Sequence, residues 1–195
     1  MSSLALMTST QSIALTKKLP ALERCTTSRR SYAFETQFPG DALVLWRAEV
    51  ETAATPGHLV SEASELDLPS FEVKVLQAVG RGSYVVAEVA GAVCAHAFLD
   101  PMPLAAIRHV YRLTIVVHPG HTNQGIGTRL IQHLQAWARR QPQLRKIELL
   151  VRAGNIGAIR LYRRMGFVEE GRLRERVRLD EHTFVDDVAL AWFPN

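Results

Sequence analysis

An α/β fold, with helices packed on a mixed sheet, is predicted for this 195-residue chain by three observations. Apolar, β-branched-rich runs and helical spacings alternate in the order β-β-β-α-β-α-β-β. The period of the apolar positions changes abruptly from strand-like to helical at Gln124, behind a glycine loop. A strictly alternating segment near the end, Arg172 to Leu179, reads as one arm of a hairpin.

Taken in order, Asp41 to Val50 has helical spacing and follows Pro39-Gly40, a helix-start signal. Residues 55 to 69, TPGHLVSEASELDLP, are rich in turn formers and read as a loop. Phe71 to Val79 fits two patterns. Phe71, Val73 and Val75 alternate as in a strand, whereas Phe71, Val75 and Ala78 suit a helix; Pro69-Ser70 favours the helix. Tyr84 to Val89 and Ala92 to Leu99 are runs separated by Ala90-Gly91, the spacing of a hairpin with a two-residue turn. Val110 to Val117 is the third strand, ending at Pro119.

Behind it Ile126, Leu130, Ile131, Leu134 and Ala138 form one face of an amphipathic helix that Pro142 must terminate. Lys146 to Arg152 is the next strand. Asn155 then caps a helix lined by Ala158, Leu161, Tyr162 and Met165 and stopped by Gly166. In the closing hairpin Arg172, Arg174, Arg176 and Arg178 point to one side and Leu173, Val177 and Leu179 to the other. Thr183 to Trp192 supplies the partner strand after Asp180-Glu181-His182.

Residues 1 to 31 read as a leader to a single domain spanning 32 to 195. Up to residue 30 the chain carries ten Ser/Thr, five Lys/Arg and one acid, Glu23, a composition shared by transit peptides and disordered extensions. No apolar run approaches the roughly 18 residues of a membrane span, so no membrane association is expected. A net charge of +4 suits an anionic ligand, but without basic runs interleaved with aromatics no nucleic-acid partner is expected. Cys25 and Cys94, the only cysteines, make no disulfide framework and fit a reducing, cytoplasmic setting; the scattered histidines supply no metal site.

The loop HTNQGIGTRL, residues 121 to 130, carries the chemistry. A helix that opens on glycines offers unpaired N–H groups and the positive end of its dipole, and Gly125 and Gly127 lack the Cβ that would keep a phosphate away. Gly-x-Gly alone favours a tight turn over a phosphate cradle. The P-loop is excluded by the missing Lys after Gly127, and the dinucleotide fingerprint by Leu130 at its third glycine.

HPGHTNQGIGTRL followed by NIGAIRLYRRMGF, residues 155 to 167, resembles the acetyl-coenzyme A core of the GCN5-related N-acetyltransferase (GNAT) family. The resemblance covers residues 83 to 192. The ending EEGRLRERVRLDEHTFVDDVALAW is similar to the bacterial branch with ribosomal-protein and amino-acid N-acetyltransferases. It implies a mostly antiparallel mixed sheet with splayed central strands. Acetyl-CoA would be the co-substrate and a primary amine, on a small molecule, amino acid, peptide or protein, the acceptor. By the same resemblance, backbone groups of Ile115, Val116 and Val117 would bind the pantetheine and thioester, Val117 N–H acting as oxyanion donor. Asn123, Gln124, Gly125, Ile126, Gly127 and Thr128 would hold the pyrophosphate, Asn155 would bond the pantetheine or order the loop, and Tyr162 would protonate the departing thiolate.

The chain departs from the family at three places. Thr122 and Asn123 replace a Gln or Arg and a glycine, and Leu150 stands where an acid often serves as general base. Glu148, on the same strand face two residues earlier, is the substitute, with the alternative of a carboxylate paired to Arg or Lys. His96 and His118 are further candidates or structural residues. The arginine ladder either selects an acidic acceptor or is a wet face balanced by Asp186 and Asp187. Loss of the acid at 150 keeps a non-catalytic acetyl-CoA-binding module open. An edge hairpin at the C-terminus would suit a homodimer.

Overall fold

The computed structural model describes residues 33–36, 42–55, 59, 61–89 and 92–194. The leader, the Pro39-Gly40 helix start and the Ala90-Gly91 turn lie outside these residues. Among them seven strands form one sheet: β1 (Ala33–Thr36), β2 (Ser83–Val89), β3 (Ala92–Pro101), β4 (Val110–Val117), β5 (Lys146–Arg152), β6 (Val168–Arg178) and β7 (Phe184–Trp192). Their spatial order is β1-β2-β3-β4-β5-β7-β6, and every pair is antiparallel except β4 with β5. The fold is therefore the mixed, mostly antiparallel sheet expected. β1 is an addition to the sequence reading, a four-residue edge strand against β2.

Four helices accompany the sheet: α1 (Ala42–Ala53), α2 (Leu68–Arg81), α3 (Ile126–Ala138) and α4 (Ile156–Arg164). The Phe71 to Val79 ambiguity resolves as helix because Phe71, Val75 and Ala78 are buried while Val73 is 51% exposed. Asp67 caps α2, accepting from Ser70 N–H at 2.9 Å, with Pro69 in the first turn. The stretch taken as loop before it also holds a helical turn at Ala63–Glu65.

Apolar cores sit on both faces of the sheet. Leu130, Ile131 and Leu134 of α3 and Ile159 and Tyr162 of α4 pack on Tyr111, Leu113, Ile147 and Leu149. Leu45 of α1 with Phe71 and Val75 of α2 packs on Tyr84, Val86 and Phe98. Alternation along β4 thus assigns Tyr111, Leu113, Ile115 and Val117 to the α3/α4 face and Arg112, Thr114 and Val116 to the other.

The arginine ladder needs correction. Between Leu173↔Asp187 and Val177↔Val185 the β6 ladder bulges, with Glu175 at φ +47°, so the four arginines do not share one continuous face. Asp186 organises the bulge, accepting from Arg172 Nε at 2.7 Å and from Glu175 N–H at 2.8 Å. Asp187 does not balance the ladder; it turns inward to Arg152 of β5.

Gly82, which closes α2 by donating to the Ala78 carbonyl at 2.9 Å, lies against β3: a Cβ there would fall 1.8 Å from the Leu99 carbonyl oxygen. Gly82→Ala should lower the unfolding free energy in urea by about 1–3 kcal/mol or more, since the backbone must give way. Gly80→Ala, whose Cβ meets nothing within 4 Å, should instead raise it by about 0.5–1 kcal/mol.

Candidate acyl-transfer site

β4 keeps its register with β3 along nearly its whole length, from Pro101↔Tyr111 to Ala95↔Val117, but pairs with β5 only at Val110↔Lys146, Tyr111↔Ile147 and Arg112↔Glu148. Beyond Arg112 the two strands part, and β5 continues against β7 to Arg152↔Asp187. The β5-facing edge of Leu113 to Val117 therefore has no strand partner among the described residues. Ile115, Val116 and Val117 all lie on this opened edge.

The glycine loop stands directly beyond it. Gly120, Asn123 and Gly125 have φ of +80°, +60° and +78°, so three left-handed residues fold the chain back onto α3. Asn123 replaces the family's glycine at a position where asparagine tolerates that conformation. The Gln124 side chain donates to Gly120 O at 3.1 Å and closes the loop. Gly125 is the N-cap of α3 and supplies no side-chain acceptor, so the first-turn N–H groups of Ile126, Gly127 and Thr128 are not capped from within the loop. A Cβ on Gly125 would meet nothing within 4 Å, so its conformation is what requires glycine. Gly127 differs: a Cβ there would stand 3.2 Å from Leu161 Cδ2, so glycine lets α3 approach α4 beside the splay. Backbone donors, a left-handed nest and a helix dipole converge at the N-terminus of α3, an arrangement suited to an anion.

Asn155 accepts from Ala158 N–H at 3.0 Å through Oδ1 and so caps α4. About two turns beyond that cap, Tyr162 lies 7% exposed within the α3/α4 core, its ring 5.6 Å from that of Phe167. Burial pushes its phenol well above the ordinary value. It is held as the neutral hydroxyl. Glu148 is on the opposite face of the sheet, 3.7 Å from Arg112 and 3.6 Å from Lys146, which also meets Glu170 at 2.7 Å. Leu150, two residues on, is 43% exposed on the same face. Tyr162 and Glu148 thus lie on opposite faces of the sheet. A cleft of about 740 Å³ with Arg81, Arg108 and His109 in its wall lies at the other end of β4, away from the glycine loop.

His96 and His118 are tied into a buried chain that sequence reasoning did not foresee, because its third member, Glu49, comes from α1. His96 Nε2 is 3.1 Å from Glu49 Oε1, and His96 Nδ1 is 3.1 Å from His118 Nε2. Lys74 Nζ meets both Glu49 oxygens at 3.2 Å. Only one of the two rings can donate across the His96–His118 contact, so their tautomers are coupled. Burial alone would raise the Glu49 carboxyl, but the hydrogen bond from His96 and the charge of Lys74 outweigh it and leave it below the ordinary value. Burial, and then the neighbouring His96, push His118 down to about 4. Cys94 is buried with its thiol on the Ala87 carbonyl at 3.1 Å, and burial raises it, so it is no nucleophile.

Residues 48–167 match the family model described as the acetyltransferase (GNAT) family. A search of curated protein sequences finds no match. Among solved structures, a ribosomal-protein-alanine N-acetyltransferase from Brucella melitensis is similar at 23% identity and a TM-score of 0.73, covering 82% of this chain and 98% of its own. YncA from Salmonella typhimurium, solved with its cofactor acetyl-CoA, has 17% identity and a TM-score of 0.75 over 84% of this chain and 94% of its own. A GNAT superfamily phosphinothricin acetyltransferase from Sinorhizobium meliloti, in complex with acetyl-CoA, has 17% identity and a TM-score of 0.77 over 84% and 89%.

The depressed His118 value sets a direction for stability. Unfolded, His118 takes up a proton as pH falls through about 6.5, whereas folded it does so only near 4. Its share of stability is thus complete above 6.5 and is lost between 6.5 and 4. Urea midpoints measured at intervals from pH 7 to pH 4 should fall across that window, and the His118→Gln variant should show a flatter profile there.

Proposed function

The chain belongs to the GNAT acetyltransferase family, and from that premise we propose that it moves an acetyl group from acetyl-CoA directly to a primary amine. The observation that carries this reading is the parting of β4 from β5 directly before a donor-rich helix N-terminus. An opened strand edge offers peptide groups in series to the amides of a pantetheine arm, while the loop N–H groups meet the anionic end. The thioester supplies the activated acetyl; the chain supplies position, an oxyanion donor and a proton.

In this reading backbone groups of Ile115 to Val117 align the thioester, with Val117 N–H donating to the oxygen on which negative charge develops. Asn123 to Thr128 anchor the pyrophosphate, and Asn155 orders α4 so that Tyr162 faces the sulfur. Tyr162, kept protonated by burial, gives its proton to the departing thiolate. Glu148, on the far face, receives the amine proton through water and frees the nitrogen lone pair for attack. Glu148 stands there between Arg112 and Lys146. No helix of the described residues is long and apolar enough to cross a membrane.

Leu150, exposed on the acceptor face where the family often has an acid, favours one other reading, a module that binds acetyl-CoA without turnover. Release of free CoA over a panel of amines, amino acids and peptides separates the two.

Acetyl-CoA at about 100 times its Kd should stabilise the protein by about 2.7 kcal/mol, read as a rise in Tm. No rise with acetyl-CoA, but one with ATP or NAD, would sink the assignment. Tyr162→Phe should lower kcat by about 100-fold or more while the acetyl-CoA KM changes little. Glu148→Gln should lower kcat more than it changes either KM.

A further inference from the structure

On the face of the sheet not covered by α3 and α4, five charged side chains stand close together. Glu170, Lys146, Glu148 and Arg112 form a chain of alternating sign with separations of 2.7, 3.6 and 3.7 Å. Two acids and two bases balance within it. The next position in the row is Asp100 of β3, whose Cα partner is Arg112. Arg112 leans towards Glu148 and makes no ion pair with Asp100. The Asp100 carboxylate is thus left over, and its Oδ1 meets neither solvent nor any hydrogen-bond donor.

An oxygen in that condition is costly, since a buried acceptor without a donor forfeits its hydration for nothing. Fold stability gives no reason for it. The surroundings give another. Asp100 lines a cleft of about 240 Å³ with Arg112 and Thr114 of β4, floored by Phe98 and walled by Met102 and its flanking prolines. Phe98↔Thr114 and Asp100↔Arg112 are neighbouring pairs of one ladder, so the cleft sits on the sheet face just where β4 and β5 begin to part. It is small and mainly apolar, with one unmatched negative charge.

We infer that this cleft is the acceptor subsite and that Asp100 is its specificity residue, receiving the acceptor as a primary ammonium ion with a short alkyl body. This rests on the acetyl-transfer reading above and names its substrate class. An ammonium brings three donors and one positive charge, which continues the alternation Glu170, Lys146, Glu148, Arg112, Asp100 by one further term. The carboxylate turns easily about its terminal torsion, so either oxygen can face the cleft. Phe98 and the Met102 segment then cover the methylenes next to nitrogen. Held here, the ammonium lies on the Glu148 side of the sheet, where its proton is given up before attack.

The first test is binding without acetyl-CoA. The full chain is titrated with n-butylammonium chloride and, separately, with 1-butanol, following backbone amide shifts around Asp100 and Thr114. The ammonium should bind at least about tenfold more tightly than the alcohol, and Asp100→Asn should remove that difference. Because Asn removes a half-buried charge that no ion pair holds, the variant should melt no lower than the parent; Asp100→Glu, which keeps the charge, should retain the preference for the cation. Equal binding of cation and alcohol by the parent, or an unchanged preference in Asp100→Asn, overturns the inference. The second test is CoA release with n-butylamine, ethanolamine and L-alaninamide. Asp100→Asn should raise the acceptor KM about tenfold and leave the acetyl-CoA KM in place. Specific ammonium binding with no CoA release from any amine would overturn the transfer reading and leave the subsite standing.

Discussion

The parting of β4 from β5 is the constraint on which the rest of the site depends. Two parallel strands that have begun to pair gain a hydrogen bond with each further residue, so separation after three pairs has to be enforced. Each strand is pinned to its other neighbour by a buried polar group. At the end of β4, His118 donates its backbone N–H to Cys94 of β3 and joins its ring to His96 and Glu49. At the end of β5, Arg152 pairs with Asp187 of β7, a carboxylate only 1% exposed, and Ala153 N–H continues to the Asp186 carbonyl at 2.8 Å. Neither pin reaches across the gap.

From that parting follows a division of labour between the faces. Side chains of β4 and β5 alternate, so the α3/α4 face receives Tyr111, Leu113, Ile147 and Leu149, and the other receives Arg112, Thr114 and Glu148. The α3/α4 face is apolar and carries the phenol of Tyr162; the other is charged and partly open. A thioester lying in the gap would be approached by an amine from the charged side while its sulfur faces the apolar side. Low polarity around Tyr162 keeps its phenol protonated, and in the proposed reaction that proton would go to the thiolate while the charged face meets an incoming cation.

Much of this was legible in the sequence, and the reasons are local. The period change at Gln124 marked α3 because one face of that helix is nearly all apolar, and Asn155 marked α4 because capping needs only three residues of context. The loop glycines marked a tight turn into α3 for the same reason, and Asn123 could be seen to keep the backbone donor. What escaped notice depends on residues distant in the chain. Glu49 and His96 are 47 positions apart, and nothing in the helix that carries Glu49 hints that it points inward. The bulge at Arg174 to Arg176 was hidden by clean alternation on either side, since Asp186, its organiser, lies on the other strand. The solitary Asp100 becomes visible only when Arg112 is seen turning towards Glu148.

Why hydrogen-bonded rings and a buried carboxylate should hold β4, where leucines would pack more cheaply, follows from what the strand must do. Apolar burial is non-directional; it fixes how close two surfaces lie but allows a strand to shift or roll. In the proposed site the peptide groups on the opened edge of β4 are themselves the binding elements, and a peptide group displaced by an ångström would no longer meet its partner. A chain from Glu49 through His96 to His118 is satisfied in one arrangement only, because each ring nitrogen has a single correct partner. The desolvation it costs is offset by apolar cores on both sides of the sheet, and in return the end of β4 has one position.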